Sequence, residues 1–104
     1  MTTFDDRENA FEAKFAHDEE MNFKANARRN KLLGLWAAEL LGKSAEDADA
    51  YAKEVIRSDF EEAGDEDVFR KVSGDLGDAV DERTIRAKMR EFLVEAKEQL
   101  LKET

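Results

Sequence analysis

The longest uninterrupted helical pattern, DEEMNFKANARRNKLLGLWAAELLG at residues 18–42, constrains the fold of this chain most. The chain contains no proline, so nothing breaks a helix of this length. Asp18 is placed to cap the first turn, and Gly42 is the residue type that ends helices in a left-handed conformation. Gly34 and Ala38 are small and one turn apart, which predicts the close approach of another helix. The 3.6-residue period predicts a buried face formed by Leu32, Leu33, Trp36, Leu40 and Leu41.

The two halves of this predicted helix differ in chemistry. Its second half is apolar, whereas its first half is basic, with Met21 and Phe23 as the main apolar side chains. Residues 21–43 carry a net charge of +4, and residues 44–81 carry −9. Because opposite charges attract, we expect the basic side chains either to meet an acidic surface of a protein partner or to pair within the chain with the acidic second helix, and internal pairing is slightly favoured. These side chains are Lys24, Arg28, Arg29 and Lys31.

A second helix is predicted to begin at Ser44, whose hydroxyl is placed to cap it. Its apolar stripe has helical spacing and runs from Ala48 through Tyr51, Ala52, Val55 and Ile56 to Phe60. Asp65 is expected to cap a short third helix, which we expect to fray after Ser73 because Gly74 and Gly77 follow. Its inward-facing side chains are predicted to be Val68, Phe69, Val72 and Leu76.

A fourth helix is predicted to begin at the capping residue Asp81. Its apolar face comprises Ile85, Met89, Phe92, Leu93, Ala96 and Leu100. Alternating strand patterns are absent from the sequence, which favours an all-α fold. We therefore expect residues 18–104 to form one small four-helix bundle with a long first helix.

Residues 1–17, MTTFDDRENAFEAKFAH, form a separate acidic segment that we call the arm. Phe4, Phe11 and Phe15 are spaced seven and four residues apart, so a helix would place them on one stripe. A helix this short is marginal in water, which predicts a mobile arm that becomes ordered in a partner's groove. A second interpretation, in which the phenylalanine stripe packs on the bundle, remains equally open.

The composition argues against several classes of function. The net charge of −9 repels phosphate, which disfavours a nucleic-acid partner. The acidic N-terminus and the lack of an apolar run of about 20 residues predict a cytoplasmic protein without direct membrane insertion. The chain has no cysteine and one histidine, His17, so we expect no metal site. No acid–base constellation suggests catalysis, and we expect no catalytic residues and no enzyme activity.

Particular stretches are more specific than a generic helical pattern. FDDRENAFEAKFAHDEE, RRNKLLGLWAAE and EAGDEDVFRK closely resemble the zeta subunit of the F-type ATP synthase of alphaproteobacteria. The resemblance extends over essentially the whole chain and is weakest at residues 73–86. It implies an inhibitor of ATP hydrolysis, attached to the inner membrane only through the synthase, whose N-terminal segment inserts as a helix at a catalytic interface of the synthase head.

The resemblance further implies contacts with the alpha, beta and gamma subunits of the head. Carried onto this chain, the arm would supply the partner-binding residues Phe4, Arg7, Glu8, Phe11, Glu12, Lys14 and Phe15. The resemblance implies no cofactor. It does imply weak binding of ATP or ADP to the bundle, and nothing in the sequence locates that binding site. The alternative function is a nucleotide-responsive helical binding module without strong inhibition.

Overall fold

A computed structural model describes residues 19–59 and 65–103 of the chain. Within these ranges the structure consists of four α-helices and one 3-10 turn, with no strand. The helices are α1 (Glu19–Leu40), α2 (Ala45–Ser58), α3 (Glu66–Leu76) and α4 (Glu82–Glu103), and the 3-10 turn is Gly77–Ala79. The prediction of an all-α bundle with a long first helix is confirmed. The arm, the proposed cap Asp18 and the stripe residue Phe60 lie outside the described residues.

Helix α1 organises the bundle because both α2 and α4 pack along it. The edge-to-face contact of Trp36 with Phe92, at 6.5 Å between ring centroids, and the pairing of Arg28 with Glu103 show that α1 and α4 are antiparallel. Helix α3 contacts each of the other three helices. The main core contains apolar side chains from all four helices, including Leu33, Val55, Val72 and Ile85.

Local signals in the sequence place the helix ends correctly in three cases. The Ser44 hydroxyl accepts a hydrogen bond from the Asp47 backbone N–H at 3.3 Å, and the Asp81 carboxylate accepts one from the Thr84 N–H at 2.8 Å. Gly42 has φ +73° and ends α1 as predicted. Its N–H donates to the Glu39 carbonyl, and the Lys43 N–H donates to the Ala38 carbonyl, which together form a Schellman motif.

The prediction for the buried face of α1 is wrong in part. Leu33 is fully buried, but Leu40 is 50% exposed and Leu41 is 38% exposed. Both leucines belong to a continuous run of exposed residues, 39–47, that spans the end of α1, the turn and the start of α2. No helix of the described chain covers this run, so the apolar period of the sequence continues beyond the packed part of α1.

Two predictions for α3 are also wrong. The helix continues through Gly74 to Leu76 instead of fraying after Ser73, because Leu76 is buried in the core and holds the last turn in place. Asp65 occupies the position before α3, but its side chain makes no capping hydrogen bond there. Its carboxylate instead accepts a hydrogen bond from Arg29 on α1. The four predicted inward side chains of α3 are all buried.

Candidate functional site

The seven residues predicted to bind a partner all lie in the arm, outside the described residues. Their roles therefore stay predictions. The described chain begins at Glu19, where α1 starts, so the surface around the first turns of α1 is the part of the bundle next to the arm. His17, the single histidine, also lies outside the described residues.

A groove runs along the first half of α1 and ends against α2 and α4. Its volume is about 550 Å³. Phe23 is 59% exposed at this groove, the largest exposure of the big apolar side chains in the described chain. We call this surface the α1 groove. It is lined by Met21, Phe23, Lys24, Ala27, Arg28 and Lys31 of α1, Ile56 of α2, and Leu100 and Glu103 of α4.

The walls of the α1 groove are basic. Lys24 is exposed and pairs with Glu20 one turn earlier on the same helix, at 3.3 Å. Lys31 is exposed and makes no ion pair within the described part of the chain. Residues 21–31 contain no acidic residue, so Glu103, from α4, is the acidic side chain that lines the groove. The groove therefore combines apolar surface with cationic edges.

Arg28 ties the groove to the last turn of α4. Its two terminal nitrogens donate to the two carboxylate oxygens of Glu103 at 2.8 and 3.0 Å, and one of them also donates to Gln99 at 2.9 Å. The hydrogen bond to Glu103 raises the pKa of Arg28 and lowers the pKa of the Glu103 carboxyl. Because this fork fixes the Arg28 guanidinium, Arg28 serves as a rigid part of the groove wall.

Arg29, another of the four basic side chains expected to form ion pairs, has a side chain that is only 2% exposed. Its Nε donates to the Asn30 Oδ1 at 2.7 Å, and its Nη2 donates to the Asp65 Oδ1 at 2.9 Å. This hydrogen bond lowers the pKa of the Asp65 carboxyl despite the opposing effect of partial burial. Arg29 therefore joins α1 to the start of α3 and is unavailable to a partner.

The expectation of internal pairing is confirmed for Lys24, Arg28 and Arg29, but the expected partner helix is wrong. Their partners are Glu20 on α1, Glu103 on α4 and Asp65 before α3, and none lies on α2. The net charges of the segments predict pairing with the acidic helix α2. The antiparallel packing of α1 on α4 instead brings Glu103 to Arg28. The contributions of Ile56 and Glu103 to the groove likewise required the tertiary structure.

A different set of polar side chains lies at the α2–α3 contact. The Tyr51 hydroxyl donates to the Asp75 carboxylate at 2.8 Å, and Lys71 also donates to Asp75 at 2.8 Å. The ammonium groups of Lys43 and Lys71 lie 5.6 and 5.1 Å from the Tyr51 ring centroid. Tyr51 is buried as predicted, and its contacts stabilise the packing of α2 on α3.

The described residues offer neither a metal site nor a membrane-spanning helix. Across residues 19–59 and 65–103, no group of three or more histidine, cysteine, aspartate or glutamate side chains is arranged to hold a metal ion. Within the same ranges, each helix is too short or too polar to cross a membrane. The α1 groove joins apolar surface to charge, a combination that suits the binding of a polypeptide.

Comparison with known proteins adds information on the family. A family model described as ATPase inhibitor subunit zeta matches residues 1–99. A structure solved by solution NMR is 58% identical in sequence, with a TM-score of 0.75, and the match covers 81% of this chain and 99% of that chain. No match was found among curated proteins. The family match includes the arm as well as the bundle.

Proposed function

Because this chain belongs to the family of ATPase inhibitor subunit zeta, we propose that it inhibits ATP hydrolysis by inserting its arm at a catalytic interface of the ATP synthase head. The observation that carries this proposal is that the family match begins at residue 1 and so includes the arm with its three phenylalanines. Phe4, Phe11 and Phe15 would be the apolar anchors of the inserted segment. Arg7, Glu8, Glu12 and Lys14 would orient it by charge.

The energetics of such an arm are favourable only in a groove. Burying one phenylalanine side chain contributes roughly 1.5–3 kcal/mol, so three together offset much of the entropy lost when a short segment becomes ordered. Outside any groove the same segment has no surface that buries this stripe. The arm therefore becomes ordered only where a groove accepts it, and the synthase head would be such a groove.

Helix α1 supports this mechanism as a mount. It has 22 residues, is anchored along its length by α2 and α4, and begins where the arm ends. The Arg28–Glu103 and Arg29–Asp65 pairs hold its first half to the rest of the bundle. Because the arm is attached to a rigid helix, its insertion would hold the whole bundle against the head. The bundle would then obstruct rotation of the gamma subunit relative to alpha and beta.

The test is ATP hydrolysis by a synthase head that lacks its own inhibitor, titrated with the full chain. We expect inhibition by the unaltered protein and loss of most inhibition in a Phe11→Ala/Phe15→Ala variant. The matched control is Leu40→Ala/Leu41→Ala, which removes two exposed apolar side chains from the bundle and leaves the arm intact. Equal inhibition by the arm variant and the unaltered chain would place the inhibitory contact outside the arm.

The hydrolysis assay together with an NMR titration tests the alternative function, a nucleotide-responsive binding module. That function predicts no inhibition by the unaltered chain or by the arm variant, and shifts of the amide NMR signals of the bundle when ATP or ADP is added. For the inhibitor, we expect no catalytic activity of its own, no cofactor requirement, and no nucleic-acid partner. We expect it to reach the membrane surface only through the synthase, on the cytoplasmic side.

A further inference from the structure

The α1 groove begins where the arm ends. Met21 lines the groove two residues after Glu19, the first described residue, and eighteen residues precede Glu19. A chain reversal between antiparallel helices takes about 2–5 residues, so a reversal at residues 16–18 leaves the first fifteen residues, including Phe15. In helical form these would span about 22 Å, and the groove from Met21 to Lys31 extends about 15 Å along α1. The arm is therefore long enough to fold back over the whole groove.

The apolar pattern of the arm fits the apolar part of the groove. In a helix, Phe4 and Phe15 would be about 16 Å apart on one stripe, close to the length of the groove. Phe23 and Met21 lie at the end of the groove nearest the arm, and Ile56 and Leu100 form its apolar sides. An antiparallel arm would place Phe15 near Met21 and Phe4 near Lys31.

The charges are also complementary. The side chains of residues 1–18 carry five acidic and two basic groups, a net charge of −3. Glu8 falls on the phenylalanine stripe, between Phe4 and Phe11 in helical register, so an apolar groove would accept it only beside a cation. The α1 groove offers Lys31 within one turn of that position, next to the Arg28–Glu103 pair, and it offers Lys24 beside the expected position of Glu12.

From this match of length, apolar spacing and charge, we propose that the arm of the free protein docks in the α1 groove of its own bundle. This proposal rests on the proposed function of the arm, because docking then regulates inhibition. The arm has two competing positions, the α1 groove and the synthase head, and it binds the head only after leaving the groove. The apparent dissociation constant for the head rises as the undocked fraction falls, by about tenfold if nine-tenths of the molecules hold the arm docked.

Docking is measured on the full chain in the absence of any synthase. The chain has no cysteine, so Thr3→Cys provides a single attachment point for a nitroxide spin label. We expect the label to broaden the amide NMR signals of Lys31 and Ile56 at the far end of the groove. Asp78 should remain sharp, because it precedes α4 at the end opposite Glu103 and α4 is about 33 Å long.

Charge reversal tests the groove directly. Lys24→Glu/Lys31→Glu reverses two exposed lysines seven residues apart on α1 and should abolish the broadening. The matched control, Arg83→Glu/Arg90→Glu, reverses two exposed arginines seven residues apart on α4 and makes the same change in net charge. The control should keep the broadening, and both variants should keep the helical circular dichroism and thermal midpoint of a folded bundle.

Three outcomes overturn the proposal. The first is no broadening at Lys31 and Ile56 in the labelled chain, and the second is equal broadening in the groove variant and its control. The third is broadening that appears only between labelled and unlabelled molecules in a mixed sample, which would show that a second copy occupies the groove. These readouts need no ATPase measurement, so failure of docking is distinguishable from failure of inhibition. Where both hold, the groove variant should inhibit at a several-fold lower concentration than its control.

Discussion

Gly34 of α1 and Ala52 of α2 are so close that a β-carbon added to Gly34 would lie 2.7 Å from the Ala52 Cα. The same added atom would lie 3.2 Å from the Ala52 Cβ and 3.3 Å from a Val55 methyl group. Backbone atoms cannot rotate away as a flexible side chain can, so this contact fixes the separation of the two helices. The small residue predicted at the helix crossing is therefore required by the distance between backbones.

We expect Gly34→Ala to destabilise the bundle by about 1–3 kcal/mol, because overpacking outweighs the gain in helix propensity of up to about 1 kcal/mol. Gly74→Ala is the matched control, since Gly74 lies inside α3 and its added β-carbon meets nothing within 4 Å. That control should stabilise the protein by about 0.5–1 kcal/mol. Urea unfolding followed by circular dichroism measures both changes, and a stabilising Gly34→Ala would contradict the packing described above.

Because of the ion pair between Arg29 and Asp65, we expect the stability of the fold to decrease in acid. The folded-state pKa of Asp65 is lowered, so its stabilising contribution is present above the pKa of the unfolded state, about 3.9, and is lost as the pH falls through the lower folded value. Asp65→Asn leaves a buried guanidinium without its counter-charge. Because Asp65 is half-exposed and water partly screens the pair, we expect a loss of about 1–2 kcal/mol at neutral pH.

Thermal unfolding at several pH values measures this effect. The stability difference between the unaltered chain and Asp65→Asn should shrink as the pH falls below about 4 and should be smallest below the lowered folded-state pKa of Asp65, where both carry a neutral side chain at position 65. Asp49→Asn on the exposed face of α2 serves as the control and should change stability by less than about 0.5 kcal/mol. A difference that stays constant down to strongly acidic pH would show that the Asp65 charge contributes nothing.

Because Tyr51 is buried as a neutral phenol, we expect the stability of the fold to decrease in alkali. Burial, and then the hydrogen bond to Asp75, raises the pKa of Tyr51 above its usual range. Burial acts to raise the pKa of Asp75 as well, but hydrogen bonds from Lys71 and Tyr51 outweigh it, so that pKa is lowered. A raised tyrosine pKa contributes stability that is complete below the unfolded value of about 10 and is lost as the pH rises further.

We expect Tyr51→Phe to lower stability by about 1 kcal/mol at neutral pH and to reduce the loss of stability in alkali. Tyr51 is the only tyrosine, so ultraviolet absorbance reports its ionisation without overlap from others. In the unaltered chain, ionisation should coincide with alkaline unfolding. Asp75→Asn should allow ionisation at lower pH, and ionisation of the unaltered chain near pH 10 without unfolding would refute the assignment.

Replacing the exposed leucines at the end of α1 should raise solubility without lowering the stability of the fold. Leu40 is 50% exposed and makes little contribution to the core, so Leu40→Glu should change the free energy of unfolding by less than about 0.5 kcal/mol. It should also reduce any self-association seen by light scattering at high protein concentration. Leu33→Ala, at a fully buried position of the same helix, should lose about 2–5 kcal/mol and provides the contrast.

The sequence determined the features that depend on neighbours within one or two helical turns. The number and order of the helices, the caps at Ser44 and Asp81, and the left-handed Gly42 all follow from such local interactions. The inward faces of α3 and α4 also follow, since amphipathic periodicity is a property of a single helix. The phenylalanine spacing of the arm is equally local, and its role stays a prediction.

Only the tertiary structure decided which surfaces are used. Leu40 continues the apolar period of α1 but lies where none of the four described helices covers it. Arg29 is buried, and Asp65, thirty-six residues away, reaches its guanidinium. The α1 groove likewise depends on Ile56 and Glu103, which come from two other helices. Burial and charge pairing are set by the distance between segments remote in sequence, and that distance is fixed only when the helices pack.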